Sequence, residues 1–281
     1  NPLNSLANGD MLSVIIFGVI VGYILAKLKE ETATVNKLFS EGNAIMMEMT
    51  NIVMKFAPIG VFCLIAKTFA TLGFEGLMPL SKYIVCLLLA LAVQAFIVYP
   101  TLMVIFTRLN PIKFFKRFFS VMLFAFSSSS SNETIPLTLE TLSEMGVSKE
   151  VSSFTIPLGA TINMDGTAIM QGVVVMFAAQ AYGIDLGLSA LLTVIFTAVM
   201  ASIGTAGIPS VGLVTLNMVF ASVGLPTDAI GIIMGIDHIL DMIRSAVNVT
   251  GDAICTIIVS FKNKSVDRDM FNGEKKGENL L

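Results

Sequence analysis

Residues 235–252 read GIDHILDMIRSAVNVTGD and place charged side chains inside a long apolar segment, 229 to 260. Each residue of an α-helix advances about 100° around the axis, so the polar residues share one face, an arc of roughly 100°. That polar face consists of Asp237, Asp241, Arg244, Ser245, Asn248 and Asp252. A charge in a lipid-spanning helix costs about 2.5 to 3.5 kcal/mol. This face must therefore line a protein interior or a watery cavity, which predicts a binding site inside a membrane.

The membrane assignment follows from composition. Hydrophobic residues make up 55% of the 281 residues and charged residues 13%, whereas soluble domains carry roughly 25% charged residues. Long apolar runs occur at 11–26, 44–70, 83–107, 151–180, 187–201, 211–225 and 229–260, and several of them have the roughly 20 residues that a membrane-spanning helix needs. We therefore predict an all-α, multi-pass protein of the plasma or inner membrane. The net charge of −3 argues against nucleic acid as a partner, because the phosphate backbone requires clustered cations.

Lysine and arginine in the short connections predict the orientation, since such loops are cytoplasmic. Lys27, Lys29 and Lys37 follow the first apolar run, and four cations lie between Arg108 and Arg117. Both regions are expected inside, whereas the connection 71–81 has no basic residue and is expected outside. The tail 263–281 is polar and mixed in charge, which predicts a disordered cytoplasmic end.

Two segments begin and end on the same side of the membrane and therefore predict re-entrant hairpins. Segment 112–148 has two short apolar arms around the serine-rich stretch 127–133, and segment 187–225 is broken at its centre by glycine and proline between 202 and 212. Irregular backbone at membrane depth is tolerated only against protein or a watery cavity. We expect the two hairpin tips to line the same site.

The two halves resemble each other. NMDGTA at 163–168 follows the first hairpin, and NVTGDA at 248–253 follows the second. Each hairpin precedes a helix, and the two hairpins enter from opposite sides. Inverted repeats with broken helices are the architecture of many secondary transporters. The expected fold is thus an inverted repeat of a re-entrant helical hairpin plus a broken transmembrane helix.

Four stretches carry a family resemblance: SSSSSNETIP at 127–136, IPLGATINMDGTA at 156–168, ASIGTAGIP at 201–209, and 235–252. Together they resemble the dicarboxylate/amino acid:cation symporter family, over essentially all of 1–262. The resemblance implies a remainder of a scaffold region at 1–70, namely the C-terminal part of a fourth helix and a fifth helix. It implies a transport domain at 71–262, about three further N-terminal helices in full-length members, a homotrimer and elevator-like movement.

The resemblance also implies an acidic amino acid, aspartate or glutamate, as the substrate. By this resemblance, Arg244 binds the side-chain carboxylate of the substrate. Asp241, with Ser245 beside it, binds the α-ammonium group, and Asn248 with Ser131 binds the α-carboxylate. A guanidinium is a planar, permanently charged fork that suits a carboxylate. The remaining substrate contacts expected from the resemblance are Ser130, Thr167, Ile208 and Gly212.

Sodium is the coupling ion that the resemblance implies, and hard cations favour oxygen ligands. Asp252, with the backbone at Gly159, Asn163 and Asn248, resembles one sodium site of the family. Asp165 with the Asn163 side chain resembles part of a second sodium site. A third site corresponds to Thr161, Ser202, Ile203 and Thr205. Gly204 and Gly207 would let the second hairpin tip close over the substrate as a gate. No organic cofactor is expected.

The chain departs from the family at three places. Gln171 stands where proton-coupled animal members carry glutamate, which favours sodium, although some bacterial relatives are proton-driven. A second arginine of the family has no counterpart, since Ser129 and Met242 occupy the corresponding positions, and Glu133 near the first tip is unusual. A C4-dicarboxylate or a neutral amino acid is the alternative substrate class within the family.

Two functions of other classes fit part of the pattern. Asp165 and Asp252 could form the catalytic pair of an intramembrane aspartyl protease, since two close carboxylates can share a proton. That reading leaves Arg244, Asn163 and both hairpins unexplained, so an enzyme is not expected. A passive channel is the other alternative, and it would conduct without substrate saturation.

Overall fold

A computed structural model describes residues 11–56, 59, 62–63, 66, 77–203, 207 and 211–274. Contacts divide the chain into two compact units, Asn1–Gly73 and Phe74–Leu281. In the first unit, helix α1 spans Met11–Leu28 and helix α2 spans Ala33–Met54, joined by a 3₁₀ turn at Lys29–Thr32. The Thr32 hydroxyl donates to the carbonyls of Leu25 and Lys29 at 3.4 and 3.3 Å and so stabilises this turn. The end of the apolar run predicted at 44–70 lies largely outside the described residues.

The second unit opens with a long helix that changes pitch at its centre. Helix α3 spans Leu77–Val93, a π-helical turn spans Gln94–Val98, and helix α4 spans Tyr99–Thr107. Proline lacks an N–H and clashes with the carbonyl four residues earlier, and Pro100 lies in the first turn of α4. The wider π turn accommodates the proline, and such turns are frequent at functional sites. The helix predicted at 83–107 thus begins six residues earlier than expected.

The first predicted hairpin is present as helices α5, Pro111–Ser128, and α6, Ser131–Glu144. Its turn consists of Ser129, which adopts a left-handed conformation with φ 53°, and Ser130. The Ser130 hydroxyl accepts from the backbone N–H of Glu133 at 3.3 Å, the usual role of serine at a helix N-terminus. The serine run is therefore the tip of a helical hairpin rather than a flexible linker.

The predicted break in 151–180 separates helices α7, Lys149–Ile162, and α8, Asp165–Ala181, with Asn163 and Met164 between them. The arms of the second hairpin are α9, Leu188–Ser202, and α10, Val211–Ser222. Helix α11 then runs without interruption from Asp228 to Lys262. The all-α architecture is as predicted, but within this part of the chain only the first of the two repeated Asn-containing motifs interrupts a helix.

Among the residues that the structure describes, three helical stretches are long and apolar enough to cross a membrane: Leu80–Thr107, Lys149–Ala181 and Ile236–Lys262. Helix α11 is the centre of the second unit, where it packs against α5, α7 and α8. Large apolar side chains on the outer surfaces, such as Leu89, Phe96 and Ile105, are well exposed. This arrangement suits a lipid environment, because apolar surface of this extent is unfavourable in water.

The described part of the C-terminal tail is ordered, so the expectation of disorder from 263 is wrong for 263–274. A short helix α12 spans Arg268–Asn272, and its Phe271 is fully buried. Val266 pairs with Val147 as an antiparallel bridge, and Arg117 donates to the carbonyls of Met270 and Glu144 at 2.6 and 2.9 Å. The buried phenylalanine and these bonds outweigh the polar composition that predicts disorder. Residues 275–281 lie outside the described residues.

Candidate functional site

The polar face of α11 is buried inside the second unit, as predicted. Its six side chains, Asp237, Asp241, Arg244, Ser245, Asn248 and Asp252, are each at most 5% exposed. Helix α11 packs against α7, α8, both arms of the first hairpin and the arm α10 of the second hairpin. Buried charges require partners, and the partners define two separate clusters along the helix.

The first cluster surrounds Arg244. Its Nη1 donates to Asp237 Oδ1 at 3.1 Å, and its Nη2 forms a very short contact with Asp241 Oδ1. One guanidinium thus faces two carboxylates, and the second oxygen of Asp237 has no hydrogen-bond partner among the described residues. Sequence analysis gave Asp237 no role, although it shares the helical face of Arg244. The structure makes Asp237 a counter-ion of Arg244.

The start of α8 packs closely onto this cluster. The backbone N–H of Gly166 donates to Asn248 Oδ1 at 2.7 Å, and a Cβ at Gly166 would come within 2.8 Å of Arg244 Cγ. The Asn248 amide nitrogen contacts Met164 Sδ at 3.2 Å. The break between α7 and α8 therefore lets a glycine backbone approach α11 and orients the Asn248 side chain.

The second hairpin reaches the same place from the other direction. A Cβ built on Gly212 would lie 3.1 Å from Thr167 Cγ2 and 3.5 Å from Arg244 Nη2. Three predicted substrate contacts, Thr167, Gly212 and Arg244, are thus brought together. Buried Gln171 donates to Thr215 Oγ1 at 2.8 Å and so ties α8 to the arm α10.

The two hairpin tips contact each other directly. The carbonyl of Gly207 accepts from the Ser130 hydroxyl at 2.8 Å and from the Asn132 N–H at 3.2 Å. A side chain at Gly207 would meet Asn132 Oδ1 at 2.9 Å and the Ala160 carbonyl at 3.1 Å, so this contact requires glycine. Ser130 and Ser131 are both buried at this junction. The tips of the two repeats meet as the hairpin prediction requires.

The second cluster surrounds Asp252, two turns further along α11. Asp252 Oδ1 accepts from Asn163 Nδ2 at 2.9 Å, and it lies 2.6 Å from the position of a Cβ at Gly159. The Asn163 N–H in turn donates to the Gly159 carbonyl at 2.8 Å. Three residues predicted to share one sodium site, Gly159, Asn163 and Asp252, are therefore neighbours.

Asp165 takes its hydrogen bonds elsewhere. Its Oδ2 accepts from Gln94 Nε2 and from the Tyr99 hydroxyl, both at 2.9 Å. Sequence analysis missed Gln94 and Tyr99, although a glutamine in an apolar run and a Tyr-Pro pair were visible signals. The π turn places both side chains toward α8, and the Tyr99 hydroxyl also lies against Gly251. The Asn163 side chain bonds to Asp252, whereas Asp165 bonds to the first helix of the unit.

The third predicted ion site is described only in part. Thr161 is exposed and donates to the Leu158 carbonyl at 2.9 Å, and Ser202 donates to the Val199 carbonyl at 2.8 Å. Ile203 ends helix α9. Thr205, Gly204 and the substrate contact predicted at Ile208 lie outside the described residues. Within the described ranges, no cluster of three or more His, Cys, Asp or Glu side chains forms a metal site.

The sequence is similar to a known family of proteins and to several of its members. Residues 1–261 match the sodium:dicarboxylate symporter family. The chain is 36% identical to mouse excitatory amino acid transporter 1 over 276 residues, which are 95% of this chain and 51% of that protein. It is also 36% identical over 260 residues to a proton/sodium-glutamate symport protein of Geobacillus stearothermophilus, covering 92% of this chain and 62% of that protein.

The salamander Ambystoma tigrinum has an excitatory amino acid transporter 1 that is 37% identical over 279 residues, 96% of this chain and 51% of that protein. The chain therefore spans about half the length of the animal relatives that it matches. The names of these relatives describe transporters and a symporter rather than enzymes. The chain belongs to the sodium:dicarboxylate symporter family.

Proposed function

We propose that the protein carrying this chain imports an acidic amino acid, aspartate or glutamate, together with sodium. The observation that carries the proposal is Arg244, a fully buried guanidinium held on the polar face of α11 by Asp237 and Asp241. An arginine fork binds a carboxylate through two parallel hydrogen bonds. The relatives include transporters named for excitatory amino acids and for glutamate, which agrees with a substrate of this charge.

The carboxylates around Arg244 favour an amino acid over a plain C4-dicarboxylate. Asp237 and Asp241 together carry one more negative charge than Arg244 neutralises. When a substrate carboxylate binds Arg244, a released aspartate carboxylate can receive the substrate's α-ammonium, and buried charges are stable only when paired. A dicarboxylate without an ammonium would instead add negative charge to an already acidic cluster. We assign the ammonium to Asp241, with Ser245 beside it, and the α-carboxylate to Asn248, Ser130 and Ser131.

The cluster at Asp252 supports sodium coupling. Its carboxylate lies against the backbone of Gly159 and accepts a hydrogen bond from the Asn163 side chain, so the residues expected to share this ion site are neighbours. A buried carboxylate supplies the kind of oxygen ligand that a hard cation favours. We assign Asp165 to a second ion site and Thr161, Ser202, Ile203 and Thr205 to a third. A proton is less well suited as the coupling ion at α8, because Gln171 cannot ionise where a glutamate could.

The hairpin contact suggests how binding is coupled to movement. The tips touch through Ser130 and Gly207, so opening of the second hairpin would break this contact and expose the site. Bound ion and substrate would favour the closed tip and thereby permit movement across the membrane. We infer that 71–262 moves as a transport domain against a scaffold to which 1–70 belongs, in an elevator-type mechanism and within a homotrimer.

Replacing Asp252 with Asn should raise the sodium concentration that gives half-maximal aspartate uptake by on the order of tenfold, which corresponds to a loss of about 1.4 kcal/mol of binding free energy. The reason is that the amide carries no charge to attract the cation. The measurement is uptake of labelled aspartate into proteoliposomes as a function of external sodium. Asp185→Asn is the matched control, because Asp185 is exposed in the connection before α9. An unchanged sodium titration in correctly folded Asp252→Asn protein would refute this ion site.

A further inference from the structure

A basic cavity lies at the end of α4 and α11, far along α11 from the polar face. Its volume is about 490 Å³, and it is lined by Phe106, Phe261, Lys262, Lys264, Val266 and Arg268. Two aromatic rings and a valine thus form an apolar part, and three cations form a charged part. None of these residues belongs to the substrate or ion clusters.

The position of the cavity places it at a membrane surface. Two stretches able to cross a membrane, Leu80–Thr107 and Ile236–Lys262, end at this cavity and pack against each other. Phe106 and Phe261 lie in the last turns of these stretches, whereas Lys264 and Arg268 follow them in the ordered tail. The cavity therefore joins the apolar layer to the aqueous layer, on the side that carries the lysine and arginine connections.

Two of the three cations, Lys262 and Arg268, lie over aromatic rings. Lys262 Nζ lies 5.1 Å from the centre of the Phe106 ring, and the Arg268 guanidinium lies 4.9 Å from that of Phe261. Both contacts are cation–π interactions. Lys262, Lys264 and Arg268 form no ion pair with a carboxylate in the part of the chain that the structure describes.

The nearest carboxylates in sequence, Asp267 and Asp269, do not line the cavity. Asp267 Oδ1 accepts from the N–H groups of Asp269 and Met270 at 2.9 and 3.1 Å, so it caps α12. Asp269 is exposed and does not line the cavity. A cluster of three cations that face a cavity remains available for an anion.

We propose that this cavity binds the phosphate group of an anionic phospholipid. Its phosphate would contact Lys264 and Arg268, and its acyl chains would follow the exposed apolar surface of α4 at Leu102, Ile105 and Phe106. Inorganic phosphate offers the same anionic oxygens but leaves the aromatic and apolar part of the cavity unused. The lipid therefore fits both parts of the cavity. The site depends on the ordered tail, which brings Arg268 to the ends of the two membrane helices.

The test compares lipid retained by the whole protein after reconstitution with phosphatidylglycerol or phosphatidylcholine, measured by native mass spectrometry. We expect one phosphatidylglycerol per chain to survive delipidation, and phosphatidylcholine to be lost. Each cation near an anionic lipid surface contributes on the order of fivefold, so Lys264→Gln with Arg268→Gln should weaken retention by about 25-fold. Lys116→Gln with Lys149→Gln removes the same charge from exposed positions outside the cavity and should change retention less than twofold.

Titration of inorganic phosphate into lipid-free protein distinguishes the two sources. Lipid retention that depends on Lys264 and Arg268, with no phosphate binding, supports the lipid site. Binding of inorganic phosphate alone overturns the assignment to a lipid, and so does equal loss of lipid in both double variants. Normal elution of the Lys264/Arg268 variant as a folded protein excludes unfolding as the cause.

Discussion

Arg244→Cys is expected to reduce aspartate uptake by roughly 100-fold or more, and to reduce uptake of a neutral amino acid such as serine much less. Loss of one partner of a buried ion pair costs about 3 to 5 kcal/mol, and Arg244 is the buried cation between Asp237 and Asp241. Without Arg244, no positive charge offsets the two aspartate carboxylates, and they repel the carboxylate of the substrate. The measurement is initial uptake of labelled aspartate and labelled serine by the reconstituted protein.

Two further variants separate substrate recognition from folding. Arg108→Cys removes an exposed arginine at the end of α4 and should leave uptake unchanged. Arg244→Lys keeps the charge but loses the planar fork, and it should fall between the wild type and Arg244→Cys. Retained aspartate affinity in Arg244→Cys would contradict the pocket assignment.

Gly166→Ala is expected to lower aspartate uptake by tenfold or more. The added Cβ would lie 2.8 Å from Arg244 Cγ and 2.9 Å from Asn248 Oδ1, closer than real Cβ atoms approach, so α8 or α11 has to shift. Overpacking of this kind costs about 1 to 3 kcal/mol, and the shift would weaken the Gly166–Asn248 hydrogen bond. The loss should appear in substrate affinity, measured as the concentration dependence of uptake.

The matched control lies on the same helix. Gly172→Ala adds the same methyl group to α8, where nothing lies within 4 Å of the new Cβ. It should leave uptake and stability unchanged, or stabilise the helix slightly, since alanine is the better helix former. An equal loss of uptake in Gly166→Ala and Gly172→Ala would show that the effect does not depend on the close approach of Gly166 to Arg244. This result would contradict the prediction.

Much of this fold could be predicted from the sequence, because polar residues in a membrane are energetically costly and therefore mark special positions. The serine run at 127–131 and the glycine and proline residues between 202 and 212 mark both hairpins, and one face of α11 marks the site. The break at Asn163 is also visible, through its repeated motif. That the same motif leaves α11 unbroken at Asn248 depends on packing, which composition alone does not reveal.

Pairing between distant residues could not be predicted from the sequence. Asp237 reads as a polar residue one turn before Asp241, and its bond to Arg244 follows only from side-chain conformations inside the folded unit. Gln94 and Tyr99 reach Asp165 because the π turn before Pro100 reorients them. The tail reads as disordered, yet Phe271 and Arg117 dock it against the base of the first hairpin. Each of these contacts depends on tertiary structure.

Uptake of labelled aspartate into proteoliposomes of the whole protein, with external sodium replaced by choline and a proton uncoupler added in parallel, tests sodium-coupled acidic amino acid transport most directly. We expect uptake to saturate with aspartate, to be lost in choline, and to persist in the uncoupler. Uptake that is unaffected by removal of sodium and abolished by the uncoupler would contradict sodium coupling.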